Sequence, residues 1–323
     1  MYYEFGKKVG ASAHVPTGSL IVFLGALMTV GLQAQQPDRP VFRSGVEMVT
    51  VNAVVRDQQG RVVGNLKRSD FQLFDNGRRQ KITDFRSDRA PITVALLFDT
   101  SGSMQVASKA EAARRAADQF MAWLQRGADE VAVFSFDATL RELQGFTRDT
   151  DRVRASFGQV EEPFGMTSLR DAIANTARQV AARGGSHRAV VVFTDGVDNN
   201  SRLTLAEVSG IASSIDVPIY VLAVVSPLDH IGQPTAVVEA KASPSGELMN
   251  LAQWTGGDAF VSSSPAQSSQ AVRQIVEELR FQYLIAFEPG SKPGWHPLEV
   301  RLRDRHLSVR ARGGYLAGPS SGT

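Results

Sequence analysis

The stretch Ile92-Thr93-Val94-Ala95-Leu96-Leu97-Phe98, followed directly by Asp99-Thr100-Ser101-Gly102-Ser103, decides how the chain is read. Its first seven residues are almost continuously apolar, the mark of a strand buried on both faces. Similar short runs recur at 131–136, 189–193 and 218–224. Between them, segments 109–124 and 169–182 carry apolar residues at helical spacing. Strands alternating with helices predict right-handed crossovers and an α/β fold built on a doubly wound, mostly parallel sheet. Ligands of such sheets bind outside the carboxyl ends of the strands, so the loops after Phe98, Leu143 and Phe193 are the expected site.

Outside this central region the pattern changes to period two. Val49, Val51, Ala53 and Val55 alternate, Phe71, Leu73 and Phe85 follow, and Asp57-Gln58-Gln59-Gly60 and Asp75-Asn76-Gly77 are turn signals. The tail repeats it: Tyr283, Ile285 and Phe287 alternate, Pro289-Gly290 turns the chain, and Leu298, Val300 and Leu302 alternate again before Leu307 and Val309. Neither end has enough strands to cover an apolar face alone, so the two are expected to complete one antiparallel β domain. At the start, Lys7 and Lys8 precede an apolar run over 20–32 that ends at Gln33-Ala34-Gln35. That run is short for a bilayer span and reads as a signal peptide. The expected organisation is a signal peptide over 1–34, an N-terminal β segment over 41–90, a central α/β domain over 91–280 and a C-terminal β segment over 281–317. The expected location is periplasmic or secreted, with membrane contact only through an uncleaved N-terminal segment.

Composition narrows the chemistry. The 323 residues are 43% hydrophobic and 21% charged, the balance of a globular protein with a large core. A net charge of +2 gives no surplus for tracking phosphates, so nucleic acid is not an expected partner. The absence of cysteine removes disulfides, thiolate metal sites and cysteine nucleophiles. No two glycines stand as Gly-x-Gly and no Gly-x-x-x-x-Gly-Lys loop exists, while the one Gly-x-Ser-x-Gly match, Gly318-Pro319-Ser320-Ser321-Gly322, follows the last alternating run and does not join a strand pattern to a helix pattern. Dinucleotide, nucleotide and serine-hydrolase sites are therefore not expected.

The loop after Phe98 offers one carboxylate and two hydroxyls at a strand end, the oxygen donors a hard divalent cation prefers. The same pentapeptide also reads as an ordinary helix cap and turn. Two further segments favour the metal. Phe193-Thr194-Asp195-Gly196 ends another buried strand and places Asp195 on the same rim, and Gly165-Met166-Thr167-Ser168 supplies another hydroxyl before a helix. Together these segments resemble the von Willebrand factor type A domain, whose metal-ion-dependent adhesion site joins an Asp-x-Ser-x-Ser loop to a separate Thr and a separate Asp. The resemblance covers roughly 92–280 and implies a Rossmann-like core with Asp99, Ser101, Ser103, Thr167 and Asp195 as metal residues. Mg²⁺, or Mn²⁺ or Ca²⁺ in its place, is the cofactor it implies. The family's usual Gly-Gly-Thr is Gly165-Met166-Thr167 here. The flanks, with Asp57-x-x-Gly60, Leu66, Asp70-Phe71 and Asp75-Asn76-Gly77 before and Trp295-His296, 309–312 and Gly313-Gly314-Tyr315 after, resemble the exported von Willebrand-type proteins of acidobacterial kind.

Other residues read more plainly. Asp137 is a turn residue or an acceptor near the metal, Asp198, Asn199 and Asn200 are solvated loop or shape the rim, and Gln144-Gly145-Phe146 and the 226–246 segment with His230 are loop decoration or vary partner choice. His187, His230, His296 and His306 lack metal-ligand spacing. The expected function is an adhesion-type module that captures a protein's Asp or Glu carboxylate through the cation. A metal-braced envelope scaffold and, behind it, a metal-assisted hydrolase using Asp137 as base are the alternatives.

Overall fold

The computed structural model describes residues 48–87, 89–226, 246–290 and 292–317. The expected signal peptide and His230 lie outside these residues. Four strands come first: β1 (Val49–Arg56), β2 (Phe71–Asp75), β3 (Arg78–Gln80) and β4 (Asp84–Arg86). Then come β5 (Ile92–Asp99), β6 (Glu130–Phe136), β7 (Leu140–Thr147), β8 (His187–Thr194), β9 (Ile219–Val224) and β10 (Ala259–Ser262). The last four are β11 (Tyr283–Phe287), β12 (Gly294–Leu302), β13 (Ser308–Ala311) and β14 (Gly314–Ala317). The helices are α1 (Lys109–Ala122), α2 (Thr150–Ser156), α3 (Leu169–Ala181), α4 (Leu205–Ser214), α5 (Gly246–Trp254) and α6 (Pro265–Arg280).

The central sheet has six strands in the order β10-β9-β8-β5-β6-β7. Every pairing is parallel except β6–β7. All of β5 is buried, as its continuous apolar run requires. Ile92, Val94, Leu96 and Phe98 pack on one face with residues of α1 and α6, while Ala95 and Leu97 pack on the other with residues of α3 and α4. The chain leaves β5 for β6 on one side and returns to β8 on the other, so the strand order reverses at β5. A crevice opens at such a reversal, outside the carboxyl ends of the strands. Asp99 is the residue that ends β5 there.

One expected loop is absent. No loop follows Leu143, because 140–147 is one antiparallel edge strand, and Gln144-Gly145-Phe146 belong to it. An edge strand needs no continuous apolar run. Arg141, Glu142 and Gln144 therefore disguise it, and its register against β6 is irregular near Val133. Phe146 packs against the sheet core.

The chain ends build two four-stranded antiparallel sheets, β13-β1-β11-β4 and β14-β12-β2-β3. Val51, Ala53, Val55, Phe71, Leu73, Tyr283, Ile285 and Phe287 are buried together in their shared core. The β2–β3 turn uses Asn76 and Gly77 at φ 50° and 74°, the two left-handed positions of a tight hairpin. β1 differs from a half-exposed strand, because Asn52 and Val54 on its second face are buried as well. That face meets the α/β part: Asn52 Nδ2 donates to Asp216 Oδ2 at 2.9 Å, and Arg312 donates to the carbonyl of Ser213. Among the described residues no helix is long and apolar enough to cross a membrane.

Candidate metal centre

Asp99 is 2% exposed at the end of β5. Its Oδ1 accepts from the Ser101 amide at 2.9 Å and its Oδ2 from the Thr194 hydroxyl at 2.5 Å. Both donors are neutral. Burial raises its pKa to about 6, against the hydrogen bonds from Ser101 and Thr194, and the negative charge of Asp195 pushes the same way.

The hydroxyls of Ser101 and Ser103 stand 3.2 Å apart. Neighbouring ligands of an octahedral Mg²⁺, with bonds of about 2.1 Å, lie about 3 Å apart. Met104, fully buried, pins the loop into the core, and its amide donates to the Ser101 carbonyl at 3.0 Å. The loop before α3 is drawn in by two backbone bonds, Gly102 N to Gly165 O at 3.1 Å and Phe164 N to Thr100 O at 2.9 Å. Gly165 takes φ 88°, which favours glycine. Thr167, 1% exposed, is held in turn: its amide donates to Asn199 Oδ1 at 2.8 Å, and its carbonyl accepts from the Asn199 and Asn200 amides at 3.1 and 2.9 Å. The three segments read as one site are thus joined at one rim of the sheet.

Asp195 follows β8. Its Oδ1 accepts from Val197 N at 3.3 Å and its Oδ2 from Lys109 Nζ at 2.8 Å. Lys109 was not foreseen, because a lysine at the start of a helical pattern reads as a surface residue. Asp198, Asn199 and Asn200 lie in a loop with Asn199 and Asn200 exposed, and their side chains also shape the rim. Asp198 accepts from Arg170 N at 2.9 Å and Ser201 Oγ at 2.7 Å, and Asn200 Nδ2 donates to Ser168 Oγ at 2.8 Å. Burial pushes the Asp198 pKa up, but the hydrogen bonds from Arg170 and Ser201 outweigh it and hold the carboxyl below its ordinary value. The signal that could have found this loop is its run of Asx side chains, which cap backbone amides as readily as they face water.

Asp137 is the turn residue. Its carboxylate accepts from Thr139 N at 2.7 Å and Arg141 at 2.9 Å, and its carbonyl accepts from Ser168 N at 2.7 Å. Of the described histidines, His187 is buried at the start of β8, His296 is bonded to Asp75 at 2.9 Å and His306 to Gln58 at 3.1 Å. None of these contacts is with the five rim residues. Among the described residues no cluster of three or more His, Cys, Asp or Glu side chains could hold a metal. A cation at this rim would depend on hydroxyls beside two carboxylates, and a buried acid with neutral donors next to paired hydroxyls suits a small hard one.

The family model of the von Willebrand factor type A domain matches residues 94–197. No curated protein matches the chain. Among solved structures, the conserved hypothetical protein BatB from Bacteroides thetaiotaomicron is 19% identical, with 58% of this chain and 98% of that one covered and a TM-score of 0.46. A von Willebrand factor type A protein from Catenulispora acidiphila is 14% identical, with 79% and 74% covered and a TM-score of 0.48. The vWF domain of the type V pili tip protein Mfa5 from Porphyromonas gingivalis is 12% identical, with 58% and 95% covered and a TM-score of 0.45. The matched span runs from within β5 past Asp195 and takes in all three loops of the rim. Residues 94–197 belong to the von Willebrand factor type A domain family.

Proposed function

We propose that this chain is an exported protein-binding module in which Asp99, Ser101, Ser103, Thr167 and Asp195 hold a divalent cation, Mg²⁺ or else Mn²⁺ or Ca²⁺, that receives an Asp or Glu carboxylate of a partner protein. The observation that carries the reading is what surrounds these oxygens. Val106, Phe164, Met166 and Val197, each a large apolar residue at least 44% exposed, stand on the same three loops as the site residues. Phe164 is 81% exposed. Exposed apolar side chains on the loops that carry a polar centre suit a protein surface better than a small solute.

The residues divide the work. Thr194 and the Ser101 amide orient Asp99, Gly102 and Gly165 let two loops meet, and Asn199 fixes Thr167. Hydroxyl ligands add no charge, so a bound cation keeps an electrophilic face toward a partner carboxylate. The binding role is favoured over hydrolysis because Asp137, the one base suggested by sequence, is occupied by Thr139 and Arg141. Export rests on Lys7, Lys8 and the apolar run over 20–32.

Isothermal titration of Mg²⁺ into the full chain and into Asp99→Ala and Asp195→Ala tests the site. One binding event in the wild type, lost in both variants, is expected. Equal heats in all three would reject the assignment. Folding should persist in chelator, because the core is large and the site lies at its edge.

A further inference from the structure

The metal-binding reading above is the basis for a statement about how tightly the site holds its cation. Immediately before α1, Ala107 and Ser108 take φ 53° and 57°, two consecutive left-handed residues without glycine's freedom. This turn delivers Lys109, the first residue of α1, into the rim, where it is 4% exposed. An ammonium is disfavoured there on three counts. It loses water, it sits at the positive end of a helix dipole, and its long side chain loses rotamer freedom. Its 2.8 Å contact with Asp195 Oδ2 opposes these terms, with the two side chains only 5% and 6% exposed.

Asp99 and Asp195 alone would match the charge of a divalent cation and leave it little attraction for a third carboxylate. Lys109 changes that balance by one unit. We propose that Lys109 is a tethered counter-cation: by neutralising Asp195 it weakens the site's hold on a free divalent cation and leaves the loaded site net positive for an incoming carboxylate.

The test is Mn²⁺ titration of the full chain, followed by the paramagnetic resonance of free Mn²⁺. Lys109→Met keeps the apolar stem and removes the charge, and Lys109→Arg keeps the charge. Lys109→Met should tighten Mn²⁺ binding at least about tenfold, while Lys109→Arg stays within a factor of about three of wild type. In chelator Lys109→Met should melt below wild type, and saturating Mn²⁺ should close or reverse the gap. Lys109→Gln carries the same expectation should the Met variant not fold. Equal or weaker Mn²⁺ binding in a folded neutral variant overturns this inference and leaves the metal site standing. No Mn²⁺ binding by wild type and neutral variant alike overturns both. Binding by the neutral variant alone supports the inference in its strongest form.

Discussion

The Thr194 hydroxyl donates to Asp99 Oδ2 at 2.5 Å and accepts from the Gly196 amide at 3.0 Å. The last residue of β8 thereby ties the end of β5 to the turn that carries Asp195. Thr194 is fully buried, and no water can replace its hydroxyl without rearrangement. Thr194→Val keeps the shape and removes both bonds. The expected result is a loss of about 1–3 kcal/mol in urea unfolding, with weaker Mg²⁺ binding by calorimetry. Thr194→Ser, which keeps the hydroxyl, should bind Mg²⁺ nearly as wild type does. A Val variant with unchanged metal affinity would mean that Asp99 needs no such orientation.

Asp198 gives a pH-dependent prediction. Its folded pKa lies below the ordinary carboxylate value, through hydrogen bonds from Arg170 and Ser201 that outweigh its burial. A depressed carboxylate stabilises the fold above its unfolded pKa, about 3.9, and that contribution is lost as the pH falls through the lower folded value. Asp198→Asn should therefore cost about 1–3 kcal/mol at neutral pH. The gap to wild type should narrow on acidification below about pH 4. Chemical denaturation across that range reads it directly, and a gap that widens with acid contradicts the assignment.

The exposed residues on the rim separate docking from metal binding. Phe164 and Met166 flank Gly165 and are 81% and 50% exposed, so neither contributes much to the core. Phe164→Ser with Met166→Ser should leave stability within about 0.5 kcal/mol of wild type and Mg²⁺ affinity unchanged. Retention of an envelope partner in Mg²⁺ should fall, as it does for wild type in chelator. Retention equal to wild type would place the partner contact elsewhere on the molecule.

What could be read in advance follows from how local each signal is. The buried strands announce themselves because parallel strands covered on both faces need continuous apolar runs, and β5 over 92–99 is the clearest. The Asp-x-Ser-x-Ser loop is legible because its donors are neighbours in sequence. β7 was half hidden, since its edge position lets Arg141, Glu142 and Gln144 stand in a strand. Lys109 was hidden altogether: its partner Asp195 is 86 residues away, and nothing near either residue predicts the pair. The same holds for the second buried face of β1, where Asn52 meets Asp216 across 164 residues. Local pattern gives elements, and distant pairing decides which charged residues end up inside.

Glu278 shows what such pairing does for the whole molecule. It lies in α6 with no exposed surface, accepts from the Tyr220 hydroxyl at 3.0 Å, and is paired with the guanidinium groups of Arg56 and Arg310. Arg56 ends β1 and Arg310 lies in β13, so one carboxylate of the α/β part anchors two neighbouring strands of one antiparallel sheet. Arg310 also reaches Asp258 at 2.6 Å. Removing the carboxylate alone strands buried positive charge, so Glu278→Ala should cost about 3–5 kcal/mol. Hydrogen exchange should then rise more in β1 and β13 than in β2 and β12, which belong to the opposite sheet. Replacing Arg56, Glu278 and Arg310 together by Met removes the unpaired charge along with the pair, and should recover most of that loss. If the triple variant is as unstable as Glu278→Ala, the cluster acts through the shape of its packing rather than through its charges.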